Sequence, residues 1–153
     1  MKQAIIIASD HAGFRRKEQI KAYLLKKGFS VTDVGTHSED SCDYPDFVFP
    51  LAQAIAQKKF ARGIVICKSG IGSAIAANKI PGVRAALCYN ATAARLSREH
   101  NDSNVLVLGS AFVNEKAAQG IIRMWLSSEF QGGRHIRRLR KIKKIEHSIM
   151  IGR

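Results

Sequence analysis

The sequence predicts an α/β fold built on a mostly parallel five-stranded sheet with helices on both faces. Short β-branched runs alternate with longer amphipathic segments along the whole chain. Most of these runs are apolar on both faces rather than at every second residue, the mark of strands covered on both sides. The length of 153 residues and a hydrophobic content of 46% fit one domain over 1–153 with a substantial core.

Ala4 to Ala8, AIIIA, reads as the first strand. Ile20, Leu24 and Leu25 recur on one face of a helical pattern from about Phe14 to Lys27. Ser30 to Val34 is the second strand, and Pro45 sits near the first turn of a helix that runs to about Phe60 with Leu51 and Ile55 toward the core. Gly63 to Cys67 is the third strand, followed by a helix from about Gly72. Val83 to Cys88 is the fourth strand, Ala91 to Glu99 a helix, and Val105 to Leu108 the fifth strand. Asn114 can cap a helix carrying Trp125 and Leu126. After Gly132-Gly133, Leu139, Ile142, Ile145 and Ile149 recur every three to four residues, so the segment from about 134 to 150 reads as a basic amphipathic helix.

Charge and cysteine usage narrow the function classes. The formal net charge is +13, and eight Lys/Arg against one Glu between Arg134 and Arg153 supply about half of it. That run coincides with the apolar period and lacks aromatics for base stacking, so it reads as the solvated face of a helix and nucleic acid is not the expected partner. Cys42, Cys67 and Cys88 are an odd set without the close spacing of a zinc site or a disulfide framework. Reduced thiols in a cytoplasmic protein are expected, with no metal. The five-residue apolar stretch near the N-terminus is too short for a signal segment, and no run approaches the length of a membrane span.

The segment from Ile64 to Lys79, IVICKSGIGSAIAANK, carries the strongest chemical signal. Gly70 and Gly72 allow backbone N–H groups to converge on an oxyanion or phosphate, and the positive end of the following helix favours the same charge. Cys67 stands at the mouth of this turn, where that field favours the thiolate. Taken alone, Cys67 also reads as the last buried residue of a core strand, the commoner state of a cysteine. In a parallel sheet, ligands bind beyond the carboxyl ends of the strands. Ser9-Asp10-His11, the Cys67 loop, Tyr89-Asn90 and Gly109-Ser110 all fall at such ends, and one crevice can collect them. It is not a dinucleotide site, since S-D-H-A-G-F replaces G-x-G-x-x-G after the first strand.

S-D-H-A-G-F at Ser9 to Phe14, D-Y-P at Asp43 to Pro45, C-K-S-G-I-G at Cys67 to Gly72, A-A-N-K at Ala76 to Lys79, S-R-E-H-N-D at Ser97 to Asp102 and G-G-R-H at Gly132 to His135 stand in unbroken order. Together they resemble the type B ribose-5-phosphate isomerases, whose wider family includes galactose-6-phosphate and allose-6-phosphate isomerases. The resemblance runs from about Met1 to Arg140 and implies a Rossmann-like three-layer sandwich. It further implies a homodimer or tetramer with shared active sites, no cofactor, and a sugar phosphate as substrate.

Aldose–ketose isomerisation needs a base beside a carbonyl, a cradle for the enediolate, a ring-opening group and a phosphate anchor. The resemblance gives Cys67 the base role; in some members a glutamate further along the loop serves instead, and that position here is Ser73. Gly70, Ile71 and Gly72, with Ser69, would hold the enediolate, and the Ser69 hydroxyl could orient substrate or thiol. His100 matches the ring-opening histidine, with Asp10 assisting at the sugar oxygens. Tyr44 and Asn101 fall at substrate-contacting positions, and His11, Arg134 and Arg138 match phosphate ligands. Lys68 and His135 are further candidates within these motifs. Without the resemblance, Asp10 is as well read as a helix cap, His100 as an exposed helix-end histidine, Tyr44 as core, and the two arginines as part of the basic face.

Two positions depart from the family pattern. Lys68 stands where glycine is usual, which brings either strain, if the backbone there needs positive φ, or an added positive charge. Ala111 follows Gly109-Ser110 where many members carry an arginine for phosphate. Lys68 is expected to compensate in part for that lost contact.

Overall fold

The computed structural model describes residues 3–152. Strands β1 (Ala4–Ser9), β2 (Ser30–Asp33), β3 (Arg62–Cys67), β4 (Ala85–Leu87) and β5 (Val105–Gly109) form one sheet in the order β2-β1-β3-β5-β4. Every pairing is parallel, as near-continuous apolar strands require once both faces are covered. On one face α1 (Phe14–Lys26), α4 (Ala91–Asn101) and α5 (Glu115–Ser127) pack Ile20, Leu24, Ala94, Ile121 and Trp125 onto Ile5, Ile7, Ile64 and Ile66. On the other, α2 (Pro45–Ala56) and α3 (Ile71–Ala77) pack Val48, Leu51, Ile55 and Ala77 onto Ile6, Ala8, Val65 and Val107. The three layers and five parallel strands are the architecture the sequence predicts.

Element ends differ in places. The second helix stops at Ala56 rather than near Phe60, because the chain turns through Lys58 at φ 59°. The fourth strand is only Ala85–Leu87, since Arg84 gives its N–H to the Asn104 side chain at 2.8 Å. Asn114 caps α5 as expected, accepting the Ala117 N–H at 2.8 Å. The last helix, α6 (Arg134–Ile151), leaves Ile142, Ile145, Ile149, Met150 and Ile151 exposed. Among the described residues, no helix is long and apolar enough to cross a membrane.

The topology sets the site. From β1 the chain passes through α1 to β2 on one side, then through α2 to β3 on the other, so β1 and β3 are adjacent while their outgoing segments diverge. The crevice beyond their carboxyl ends is the switch point at which ligands bind in open α/β sheets.

A partly buried ion cluster braces this edge. Lys17 is fully buried and hydrogen-bonds Asp33 and Glu18, while Lys21 reaches the same two carboxylates at 2.9 Å. Asp33 also accepts the Gly35 N–H at 3.0 Å, and Gly35 C=O in turn accepts the Ser9 N–H at 2.7 Å, next to Asp10. Burial pushes the Asp33 carboxyl up, but the hydrogen bonds from Lys17, Lys21 and Gly35 and the charge of Lys17 outweigh it and hold the group at about 2. A depressed carboxylate contributes stability that is present above the ordinary value and lost as pH falls toward the folded one. We therefore expect Asp33→Asn to cost about 2 kcal/mol at pH 7. Urea unfolding as a function of pH checks it: the variant should also lose part of the stability decline that the parent shows between pH 4 and 2.

Candidate active site

Parallel register places Ser9 beside Ile66, so Asp10 and Cys67 leave neighbouring strands about 4.8 Å apart. Asp10 is buried and its Oδ1 accepts the Gly13 N–H at 2.9 Å. It therefore caps the short turn His11–Gly13 rather than α1 itself. His11 Nδ1 lies 3.2 Å from the Cys42 N–H and 3.1 Å from the Cys42 carbonyl. Either tautomer finds a main-chain partner there, which leaves Nε2 for a ligand. This role for Cys42 was not legible in the sequence, because the main chain performs it.

The loop after β3 is tightly determined. Cys67 is buried, and its Sγ accepts the Gly70 N–H at 3.1 Å. Gly70 has φ 83°, and a Cβ there would stand 2.4 Å from Leu87 Cδ1, so only glycine makes this turn. Gly72 lies against the Tyr44 ring, where a Cβ would approach Cζ to 2.6 Å. Tyr44 thus walls the loop from the start of α2. The Ser69 hydroxyl accepts the Ile71 N–H at 3.2 Å, and Ala74 N–H reaches Gly70 C=O at 3.0 Å. The Gly72 and Ser73 N–H groups, as in any first helical turn, lack an intrahelical partner. Ser73 itself is buried, and among the described residues its hydroxyl has no hydrogen-bond partner.

The end of β5 is zippered onto the same loop. Ser110 N–H donates to Cys67 C=O at 2.9 Å and Ala111 N–H to Lys68 C=O at 3.0 Å. Lys68 is exposed, and positive φ among the described non-glycine residues is confined to Lys58 and Asp102. The strain expected of lysine at this position is therefore absent. What lysine adds is an exposed charge on a residue whose main chain is bonded to Ala111.

His100, Asn101, Arg134, His135 and Arg138 are elsewhere. Helix α4 starts at the carboxyl edge of the sheet and returns to the amino edge, where Gly63 N–H donates to Asn104 C=O at 2.9 Å and Arg84 Nε to Asn101 C=O at 3.0 Å. Arg98 is buried and bonds Asp102 Oδ1 and Ser103 C=O, which fixes the turn that carries His100 and Asn101. The His100 ring stacks on His135 with centroids 4.3 Å apart. Desolvation, followed by the charges of His100, Arg134 and Arg138, lowers the His135 pKa. Arg134 and Arg138 are exposed on the first turns of α6. Six-residue β3, at about 3.3 Å per residue, puts roughly 17 Å between the two edges. Asp10, His11, Tyr44 and Cys67 to Gly72 meet within one chain; His100, Asn101, Arg134, His135 and Arg138 form a second group at the opposite edge. Among the described residues, no three His, Cys, Asp or Glu side chains gather as a metal would need.

The chain's sequence and fold are matched in proteins of known sequence and structure. A family model described as Ribose/Galactose Isomerase matches residues 5–142. The chain is 43% identical over 142 residues to ribose-5-phosphate isomerase B of Escherichia coli K12, covering 93% of this chain and 95% of that one. The ribose-5-phosphate isomerase B structure of Clostridium thermocellum superposes with a TM-score of 0.95 at 50% identity, over 96% of this chain and 99% of that one. The Mycoplasma genitalium enzyme, solved with bound ribulose-5-phosphate, gives a TM-score of 0.92 at 41% identity, covering 96% and 98%. Matched in sequence from β1 into α6 and in fold over nearly its whole length, the chain belongs to the ribose/galactose isomerase family.

Proposed function

We propose that the protein, acting as one unit over residues 1–153, interconverts ribose 5-phosphate and ribulose 5-phosphate through an enediolate. The observation that carries this reading is the turn in which the Cys67 thiol accepts the Gly70 N–H at 3.1 Å beside the first-turn amides of α3. A base and a set of oxyanion donors thus share one loop. Relatives named as ribose-5-phosphate isomerase B, one of them holding the ketose product, support this substrate.

In the proposed reaction the Cys67 thiolate takes the proton from C2 of the open-chain aldose, and the electrons of that C–H bond move into an enediolate. The thiol returns the proton to C1, and the ketose forms as the hydroxyl protons redistribute between O1 and O2. Amides from Ser69 through Gly72 stabilise the developing oxyanion. His100 opens the ring, Asp10 assists at the sugar oxygens, and Tyr44 and Asn101 contact the substrate. His11, Arg134 and Arg138 hold the phosphate.

The split between the sheet edges supports a homodimer or larger assembly in which one copy supplies Asp10, His11, Tyr44 and the Cys67 loop and another supplies His100, Asn101 and the α6 arginines. The exposed isoleucines of α6 give that second copy an apolar surface to cover.

Lys68, joined to Ala111 through the main chain, is proposed to supply phosphate charge that Ala111 cannot. We expect Lys68→Gly to raise KM for ribose 5-phosphate about fivefold, a loss of one exposed charge contact worth about 1 kcal/mol, with kcat within twofold. Steady-state kinetics check this, and an unchanged KM would remove Lys68 from the site. The function itself is tested by offering ribose 5-phosphate and allose 6-phosphate in parallel to the purified protein. Turnover of the pentose phosphate is expected; turnover of the hexose phosphate alone, or of neither, would overturn the reading.

A further inference from the structure

We propose that Tyr89 is a positioning residue for the Cys67 base, acting through a single peptide plane. This rests on the isomerase reading above and assigns a role to a residue outside the catalytic groups named there. Tyr89 follows β4, and its hydroxyl donates to Ser69 C=O at 3.0 Å. That carbonyl belongs to the peptide whose N–H is Gly70's, and this N–H donates to Cys67 Sγ at 3.1 Å. A planar trans peptide holds its C=O and N–H in nearly opposite directions. Fixing the oxygen from outside therefore fixes where the hydrogen points.

The surroundings are arranged for this. Gly70, at φ 83°, is the most permissive residue in the loop, and without an external tie its peptide could rotate away from the sulfur. Leu87, two residues before Tyr89, packs against Gly70, so the end of β4 and the residue just beyond it contact both ends of the peptide. The Tyr89 ring is steadied by an edge-to-face contact with Phe112, centroids 5.5 Å apart. Phe112 follows β5 by three residues and belongs to the segment zippered onto Lys68. Although Tyr89 is partly exposed, its hydroxyl is committed to the loop.

The geometry assigns two effects to the hydroxyl. It keeps the Gly70 N–H donor on the sulfur, and it keeps Sγ in the orientation from which it reaches the substrate carbon. Tyr89→Phe removes only the oxygen and leaves the ring on Phe112. We expect kcat for ribose 5-phosphate to fall about tenfold with KM within twofold, because no phosphate or sugar contact is lost.

A second readout does not depend on turnover. Iodoacetamide alkylation at pH 7 is followed by mass spectrometry on the peptide bearing Cys67, with the Cys42 peptide of the same sample as internal control. Cys67 alkylation is expected to slow about fivefold in Tyr89→Phe as the sulfur loses its fixed donor and its orientation, while Cys42 is unchanged. Mere loosening of the loop would do the opposite, since Cys67 is only 4% exposed and freer access would speed the reaction. A Cys67 alkylation rate equal to or faster than that of the parent overturns the proposal. If the parent does not turn over the pentose phosphate, the isomerase reading fails, and the alkylation rates still decide whether Tyr89 governs the thiol.

Discussion

Replacing Cys67 by alanine is expected to lower kcat for ribose 5-phosphate about a thousandfold, in the middle of the ~10²–10⁴ range for a positioned acid–base group. That is about 4 kcal/mol of transition-state stabilisation. KM should hold within about threefold, because the proposed phosphate ligands and oxyanion amides are untouched by the substitution. Ser73 in the next turn offers only a buried hydroxyl. Asp10 already spends one oxygen on Gly13 N–H. Loss of a single sulfur from a tight turn should cost about 1 kcal/mol of stability, so the melting temperature separates a lost base from a lost fold. Exchange of the substrate's C2 hydrogen with deuterated solvent tests the base directly. The parent should exchange and Cys67→Ala should not, and retained exchange would assign the proton to another group.

Strand content and order were legible because periodicity is local. AIIIA and IVIC carry their burial in their own composition, and a parallel sheet follows from the helices between them. The Cys67 loop was legible for the same reason, since a thiol, two glycines and a helix start are adjacent in the chain. What sequence did not disclose depends mostly on partners distant in the chain: the main chain of Cys42 against His11 and the Tyr89 hydroxyl on Ser69 C=O; the early stop of α2 is local, but it uses a left-handed conformation that lysine seldom adopts. The separation of His100 from Cys67 was available in principle. Eleven-residue α4, at 1.5 Å per residue, carries the chain about 16 Å back across the sheet. A residue at its end cannot share an edge with one at the end of β3. The period of α6 was likewise plain, whereas the exposure of Ile142, Ile145 and Ile149 along it is set by tertiary packing.

That separation leads to the prediction with the widest expected range. If each working site takes Cys67 from one copy and His100 from another, Cys67→Ala and His100→Ala are both inactive as pure proteins, yet they can repair one another. In a mixed dimer one site combines both defects and is inactive; the other pairs the intact Cys67 of the His100→Ala chain with the intact His100 of the Cys67→Ala chain. Two chains co-expressed with different tags and purified through both should recover about half the parental activity. Random refolding of an equal mixture should give about a quarter, because half the dimers are mixed and each holds one good site. A site built within one chain allows no such repair, and the mixture would be as inactive as its parents. The roughly 17 Å between sheet edges forbids His100 from reaching the Cys67 loop of its own chain without unfolding α4, whose last turn is pinned by Arg98 and by the Trp125–Ser103–Ser97 hydrogen bonds. Recovered activity would therefore identify the second copy as part of the catalytic machinery, and would give the exposed apolar face of α6 the partner that its composition calls for.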